Sequence, residues 1–159
     1  ETGGDLSDMT LTWVGDGNNV AISFINAAAK FGYKLHISCP EGYRVSGQII
    51  EAARQSGAAI KAFEDPQEAC SASDVVIADT WVSMGDTDAD KRMKDLENYQ
   101  VNDKLMRRAN PSATFLHCLP AHRGEEVSAS VIDGPQSRVF DEAENRLHAQ
   151  KAVLAWCLG

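Results

Sequence analysis

Short apolar runs alternate along this chain with amphipathic segments of helical period. The run Val75-Val76-Ile77-Ala78 is typical of a strand buried on both faces of a parallel sheet. Further strands are predicted at residues 9–14, 34–38, 58–63 and 113–116, with a last short one at 138–140. Strand and helix alternate throughout, so the pattern predicts an α/β fold with a parallel β-sheet covered by helices on both faces.

Helical segments are predicted in the intervals between the strands. After a turn at Gly15 to Gly17, apolar residues recur from Val20 to Phe31 on one helical face, and Gly32 ends the helix. Ser46 is a candidate cap for the next helix. The others are predicted at residues 67–71, 91–99, 101–108, 125–132 and 143–158. The resulting arrangement is a three-layer, Rossmann-like domain.

Composition limits the classes of function. The 159 residues are 43% hydrophobic and 24% charged, which suits one globular domain with a sizeable core. A net charge of -8 argues against a nucleic-acid partner, and no apolar run approaches the ~20 residues of a membrane helix. Four scattered cysteines indicate reduced thiols and a cytoplasmic location. Residues 1–5 show neither a helix-capping signal nor an apolar pattern and are expected to be a tag remnant or cut end; residues 6–159 form the domain.

The tetrapeptide His117-Cys118-Leu119-Pro120 follows a predicted strand. Ligands in open α/β sheets bind outside the carboxyl ends of the strands, so we expect a site here. The alternative is a Cys118 that packs as a small hydrophobe and a His117 that is a hydrogen-bonded loop residue. A metal is not predicted, because no carboxylate or thiol matches the spacing of His117 and His122. A Cys118 in a cleft should be more accessible than core cysteines, among which Cys70 and Cys157 are expected.

The Gly15-x-Gly17 turn invites a dinucleotide interpretation. That fingerprint requires a third small residue where Val20 stands and an acidic residue where Pro40 and its neighbours stand, so both requirements fail. A need for positive φ explains both glycines. Asn19 at the start of the helix can either cap it or face a ligand carboxylate, and the sequence leaves both open.

Two further candidates are charged. Asp79 ends the strongest strand and precedes Ser83 and Gly85, a combination that could hold an ammonium group; the alternative is a turn former or helix cap. Arg146 lies in the first turn of the last predicted helix, where the helix dipole disfavours a cation. It is therefore committed either to a nearby carboxylate or to an anionic ligand.

Four segments occur in order at the spacing of a known family, namely Val14 to Asn19, Asp79 to Gly85, Phe115 to Pro120 and Asp141 to Arg146. From about Leu6 onward the chain resembles the carboxyl-terminal, ornithine-binding domain of ornithine carbamoyltransferase. The Asp-x-x-x-Ser-Met-Gly loop is similar to the ornithine enzyme rather than to its aspartate-using relative.

The resemblance implies transfer of the carbamoyl group of carbamoyl phosphate to the δ-amine of ornithine, without a cofactor. The products are citrulline and phosphate, in a step of arginine biosynthesis or the urea cycle. It assigns substrate binding to a set of residues and catalysis to two of them, Asp79 and Cys118; the whole set is Asn19, Asp79, Ser83, Met84, Cys118, Leu119 and Arg146. Asp79 and Ser83 would bind the α-ammonium, and Cys118 would tune proton loss from the attacking amine.

One departure from the family is large. Its amino-terminal carbamoyl-phosphate domain carries Ser-Thr-Arg-Thr and His-Pro-x-Gln motifs, and neither occurs here. The chain thus resembles half of an enzyme whose family is trimeric largely through the missing domain. The alternatives are a non-catalytic amino-acid-binding module of the same fold and a nucleotide-dependent oxidoreductase, which Val20 and Pro40 disfavour.

Overall fold

Five parallel strands form the sheet of this protein. A computed structural model describes residues 5–82 and 87–159. The strands are arranged in the order β3-β2-β1-β4-β5. Their bounds are β1 Thr10–Val14, β2 Lys34–Ser38, β3 Ala59–Phe63, β4 Val75–Ala78 and β5 Thr114–His117. Each of these runs was predicted as a strand, and the parallel sheet is confirmed.

Helices connect the strands. They are α1 Asn19–Phe31, α2 Gly47–Gln55, α3 Pro66–Ala69, α4 Ala89–Leu96, α5 Asp103–Met106, α6 Ala129–Ile132 and α7 Val139–Leu158. Two 3-10 turns add Leu6–Asp8 and Glu97–Tyr99. None of the helices in the described ranges has the length and apolarity that crossing a membrane requires.

Two hydrophobic cores lie on opposite faces of the sheet. Trp13 and Ile77 pack with α1 and α2 on one face, whereas Val76 and Phe115 pack with α5, α6 and the start of α7 on the other. This division follows from the sheet itself, because successive side chains of a strand point to opposite faces. The three-layer, Rossmann-like fold is therefore confirmed.

Local sequence explains where α1 and α3 begin and end. The Asn18 side chain accepts hydrogen bonds from the N–H groups of Val20 and Ala21 and caps α1. Gly32 ends α1 in the left-handed conformation, at φ 78°. Asp65 caps α3, and proline occupies its first turn, where a missing N–H costs nothing. Ser46 precedes α2 but makes no side-chain cap hydrogen bond.

The strand predicted at Arg138–Phe140 is wrong. Only Ser137 bridges to β5, and α7 begins at Val139. The acidic residues Asp141 and Glu142 lie in the first turn of α7, where the helix dipole favours them. Pairing of this segment with β5 thus ends after the Ser137 bridge, because the residues from Val139 onward are helical.

The helix predicted at residues 125–132 is too long by four residues, since α6 begins at Ala129. A tight loop occupies residues 122–127 instead. Gly124 adopts φ 91°, and its N–H donates to the Val127 carbonyl at 2.8 Å. Residues 125–127 therefore lie inside a turn that Gly124 enters at positive φ without steric cost, and the helix begins only after it.

Candidate functional site at the carboxyl ends of the strands

Strand register brings Asp79 and Cys118 together. Ala78 at the end of β4 pairs with His117 at the end of β5, so the next residue of each strand leaves the sheet beside the other. β4 also pairs with β1. From β1 the chain adds β2 and β3 on one side of the sheet, whereas β4 and β5 are added on the other side. The order of the strands therefore reverses between β1 and β4, which is the topological switch point where open α/β sheets bind ligands.

Asp79 accepts hydrogen bonds from three neutral donors. Its Oδ1 accepts from the Thr80 N–H at 2.8 Å and from the Cys118 thiol at 3.1 Å. Its Oδ2 accepts from the Asn18 amide at 2.7 Å. The carboxylate is half-buried and caps none of the helices in the ranges the structure describes. The Thr80 bond is turn-like, whereas the Asn18 bond crosses the switch point between β1 and β4 and the Cys118 bond joins the ends of β4 and β5.

Asn18, rather than Asn19, reaches this carboxylate. Its side-chain oxygen caps α1 while its amide N–H donates to Asp79, so one side chain fixes both groups. Asn19 is the first residue of α1 and is exposed. The capping alternative for Asn19 is therefore wrong. The sequence analysis missed Asn18, although the cap position before an amphipathic run was a usable signal.

The Cys118 thiol is held in its neutral form. Burial, the hydrogen bond to Asp79 and the negative charges of Asp79 and Glu142 raise the pKa of Cys118 to about 12. The thiol is half-buried, unlike the buried Cys39 and Cys70. It is thus a hydrogen-bond donor to Asp79 rather than a packed core residue. Cys157 is exposed, so its expected core position is wrong.

His117 is fully buried and its ring is fully bonded. Its Nδ1 accepts the Leu119 N–H at 3.0 Å, so Nε2 carries the proton and donates to Glu126 Oε1 at 3.1 Å. The His117 backbone N–H donates to Glu142 Oε2 at 2.9 Å. Burial is the main cause that raises the pKa of Glu142. The hydrogen-bonded alternative for His117 thus describes its geometry, and the ring positions the Cys118 segment.

Glu126 and Glu142 were missed by the sequence analysis. They come from a loop and a helix that follow β5 by several residues, and nothing in their local pattern indicated that they would converge on His117. The only available signal was that His117, if buried, would need a partner for its ring.

Leu119 and Arg146 are the two remaining candidates that the structure describes. Leu119 has φ 53° and packs partly buried against the core that contains Phe115. Arg146 is exposed and lies in the third turn of α7, because the helix starts earlier than predicted. Its charge lowers the pKa of Glu142, and no hydrogen bond links it to the other described site residues. Ser83 and Met84 lie outside the described residues.

The glycine turn has a structural explanation. Gly15 adopts φ 121°, whereas Gly17 does not have a positive φ. A Cβ on Gly17 would lie 2.6 Å from the Val45 nitrogen and 2.7 Å from the Tyr43 carbonyl oxygen, so close approach of this segment demands glycine. The prediction of positive φ is wrong for Gly17. The backbone of residues 43–45 packs against the turn at Gly17, and this packing explains the glycine without a bound dinucleotide.

Alkylation should rank the cysteines by exposure and thiolate content. At about pH 8 we expect Cys157 to react first, Cys118 more slowly, and Cys39 and Cys70 slowest, because the thiolate is the nucleophile. Asp79→Asn removes the carboxylate charge that raises the pKa of Cys118, so that pKa should fall and Cys118 should react faster.

Timed alkylation with peptide mapping measures these rates, and Cys157 is the internal control because its rate should not change with Asp79→Asn. Equal rates for Cys118 and Cys157 in the unsubstituted chain would contradict the neutral, half-buried thiol.

The fold and the site define a three-layer Rossmann-like domain whose polar side chains meet at the topological switch point. A family model for the aspartate/ornithine carbamoyltransferase Asp/Orn binding domain matches residues 7–157. The chain therefore belongs to the aspartate/ornithine carbamoyltransferase family and corresponds to its Asp/Orn-binding domain.

Individual relatives support the same assignment. The chain is 55% identical over 156 residues to the ornithine carbamoyltransferase of Caulobacter vibrioides, and the match covers 98% of this chain and 50% of the relative. The Rhodopseudomonas palustris enzyme is 56% identical with the same coverage. The crystal structure of ornithine carbamoyltransferase from Gloeobacter violaceus superposes with a TM-score of 0.89 at 41% identity, covering 99% of this chain and 54% of that one. The chain thus spans about half the length of the curated relatives it matches.

Proposed function

We propose that this chain is the ornithine-binding half of a carbamoyltransferase that converts ornithine and carbamoyl phosphate to citrulline and phosphate. The observation that carries the proposal is the set of hydrogen-bond donors around the Asp79 carboxylate. Its three hydrogen-bond donors are neutral, and it forms no ion pair with the cationic residues in the described ranges. A half-buried carboxylate of this kind suits an ammonium group, since a partner of opposite charge compensates the cost of its desolvation.

The neighbouring thiol supports a role in proton transfer. An amine attacks a carbonyl carbon only when it is neutral, so the site must hold the α-amine as a cation and accept a proton from the δ-amine. An ammonium bound to Asp79 would oppose the carboxylate charge that raises the pKa of Cys118. Substrate binding would thereby increase the fraction of Cys118 that is thiolate, the form that can accept a proton from the reacting amine. Asp79 and Cys118 are the proposed catalytic residues, and Leu119 follows Cys118 directly in the chain.

The other family assignments extend this site. Asn19 would contact the amino-acid end of ornithine from the exposed start of α1. Ser83 would bind the α-ammonium together with Asp79, and Met84 would contribute from the same stretch of sequence. Arg146 would bind carbamoyl phosphate from α7, one helical turn beyond Glu142. The donors for the phosphate group would come from the other half of the protein.

The end of α7 supports a two-part enzyme. Leu147, Val153, Leu154, Trp156 and Leu158 are 59–85% exposed along this helix. Large exposed apolar surfaces mark interaction sites. We propose that the carbamoyl-phosphate domain covers part of this surface. We also propose that the full-length protein forms homotrimers. It would act in the cytoplasm, in arginine biosynthesis or a urea-cycle type of step. Four free cysteines suit a reducing compartment.

A complementation assay tests the proposal. The chain alone should form no citrulline above background, because orientation of two bound substrates can supply roughly 7–11 kcal/mol of a barrier and only one substrate is held here. Addition of the separately produced amino-terminal half of the Caulobacter vibrioides relative should restore citrulline formation.

The control for this assay is the same mixture without ornithine. Citrulline formation by the chain alone at the rate of the complete mixture would refute the half-enzyme. Ornithine binding by the chain with no turnover in a mixture that forms a stable complex would instead support the non-catalytic module.

A further inference from the structure

The loop at residues 122–127 contains a buried carboxylate oxygen without a partner. Glu126 is fully buried, and its Oε1 accepts from His117 Nε2 at 3.1 Å and from the His122 backbone N–H at 2.6 Å. Its Oε2 has no hydrogen-bond partner. A buried carboxylate oxygen without a donor or cation is costly, so this atom indicates that a group which satisfies it is missing.

Two further ligand atoms lie around this oxygen. His122 Nδ1 is 3.7 Å from Glu126 Oε2 and 3.9 Å from Glu125 Oε2. Both separations are too long for a hydrogen bond. The three side chains can each offer one ligand atom, and these atoms all lie within 4.8 Å of one another. The cluster therefore combines one imidazole with two carboxylates, one oxygen of which is buried and has no hydrogen-bond partner.

We propose that His122, Glu125 and Glu126 bind a divalent transition-metal ion. Two ligands at about 2.1 Å from a tetrahedral ion lie roughly 3.4 Å apart, so His122 Nδ1 needs to shift by only a few tenths of an ångström relative to each carboxylate. The two carboxylate oxygens lie at most 4.8 Å apart, and the half-exposed Glu125 side chain can rotate to shorten that separation. An imidazole with carboxylates suits Zn²⁺ or Co²⁺ better than Ca²⁺ or Mg²⁺, which prefer oxygen ligands alone. His122 and Glu125 are 48% and 38% exposed, which leaves the remaining coordination positions open to water.

The backbone of the loop is held in place before any ion arrives. The Gln100 side-chain amide donates to the carbonyls of Gly124 at 2.9 Å and of Glu125 at 2.8 Å. The neighbouring cation Arg123 is paired with Asp133 at 2.7 Å and does not neutralise the cluster. Positioned ligands lower the cost of organising a metal site.

A second group of potential ligands, Asp79, His117 and Cys118, competes as an explanation for any metal binding. Both ring nitrogens of His117 are already hydrogen-bonded, to Glu126 and to the Leu119 N–H. Coordination there would break one of these bonds and ionise a thiol with a raised pKa. The experiment must nevertheless separate the two groups, because thiolates bind Zn²⁺ and Co²⁺ strongly.

Titration with cobalt(II) chloride separates them in a Cys118→Ser background, which removes the thiol. Calorimetry and the visible absorption of Co²⁺ should show one ion bound per chain. Because even outer-shell partners of a metal contribute about tenfold or more to affinity, loss of the ligand His122 in His122→Ala should weaken binding at least about tenfold. His148→Ala is the matched control, since His148 is also an exposed histidine beside one carboxylate, that of Glu144 at 3.9 Å.

Equal Co²⁺ affinity in the His122→Ala and His148→Ala variants would overturn the proposal, as would the absence of binding in the Cys118→Ser background. Glu125→Gln provides a second test at a half-exposed position, where folding is not at risk, and should also weaken binding. Circular dichroism of each variant confirms that the fold is retained before titration.

Discussion

Asp79→Asn is expected to lower kcat/KM for ornithine by about 30-fold or more when the chain is assembled with the missing half. Removal of one charge from a desolvated pair costs about 2–5 kcal/mol, and each 1.4 kcal/mol corresponds to a factor of ten. Asparagine can still accept from Thr80 and Cys118 through its single oxygen and loses only the bond from Asn18, whose oxygen continues to cap α1, so the fold should be retained. Steady-state citrulline assays and thermal unfolding of the same preparation measure the two effects.

The matched control is Asp65→Asn, in which an aspartate that only caps α3 is changed to another good cap residue. It should leave both citrulline formation and the melting temperature nearly unchanged. If Asp79→Asn instead destabilises the domain and spares the apparent affinity for ornithine, Asp79 is a structural turn residue and the proposed substrate site is wrong.

Glu126→Ala should destabilise the domain by about 2–6 kcal/mol, because it leaves two donors without an acceptor and a buried donor without a partner costs about 1–3 kcal/mol. The donors left unpaired would be His117 Nε2 and the His122 N–H. Glu126→Gln keeps an oxygen that can accept both bonds and should cost about 1 kcal/mol or less. Urea unfolding followed by fluorescence measures the free energies of unfolding.

The half-exposed neighbour Glu125 provides the control for position. Glu125→Ala should change the free energy of unfolding by less than about 0.5 kcal/mol, as surface substitutions usually do. A Glu126→Ala variant as stable as Glu125→Ala would show that the buried pair does not support the His117 segment.

The strands of the sheet could be predicted because their signal is local. The runs that became β1 to β5 are short, apolar and bounded by glycine, proline or polar residues, and the structure confirms each of them. The failures fall where local patterns compete with tertiary contacts. The segment at Arg138–Phe140 has the composition of a strand, yet it continues as α7 after a single bridge to β5.

The site could be predicted only in part. Placement of Asp79 and Cys118 followed from the rule that ligands bind at the carboxyl ends of parallel strands, and the register of β4 with β5 brings their side chains within hydrogen-bond distance. The two glutamates that bind His117 could not be found in this way. They approach it from 9 and 25 residues further along the chain, through a loop and a helix whose packing is not a local property.

The sequence by itself determined the fold class, the strands and the positions at which chemistry could occur, since these depend on residue type and period along the chain. Only the tertiary structure decided that Asn18 rather than Asn19 contacts Asp79, and that Glu126 has one satisfied and one free oxygen. The physical reason is that a hydrogen bond depends on the direction in which each side chain points. Adjacent helical residues point about 100° apart, and a hydrogen bond needs its two atoms within about 3.2 Å, so partners are selected by helix phase and strand register.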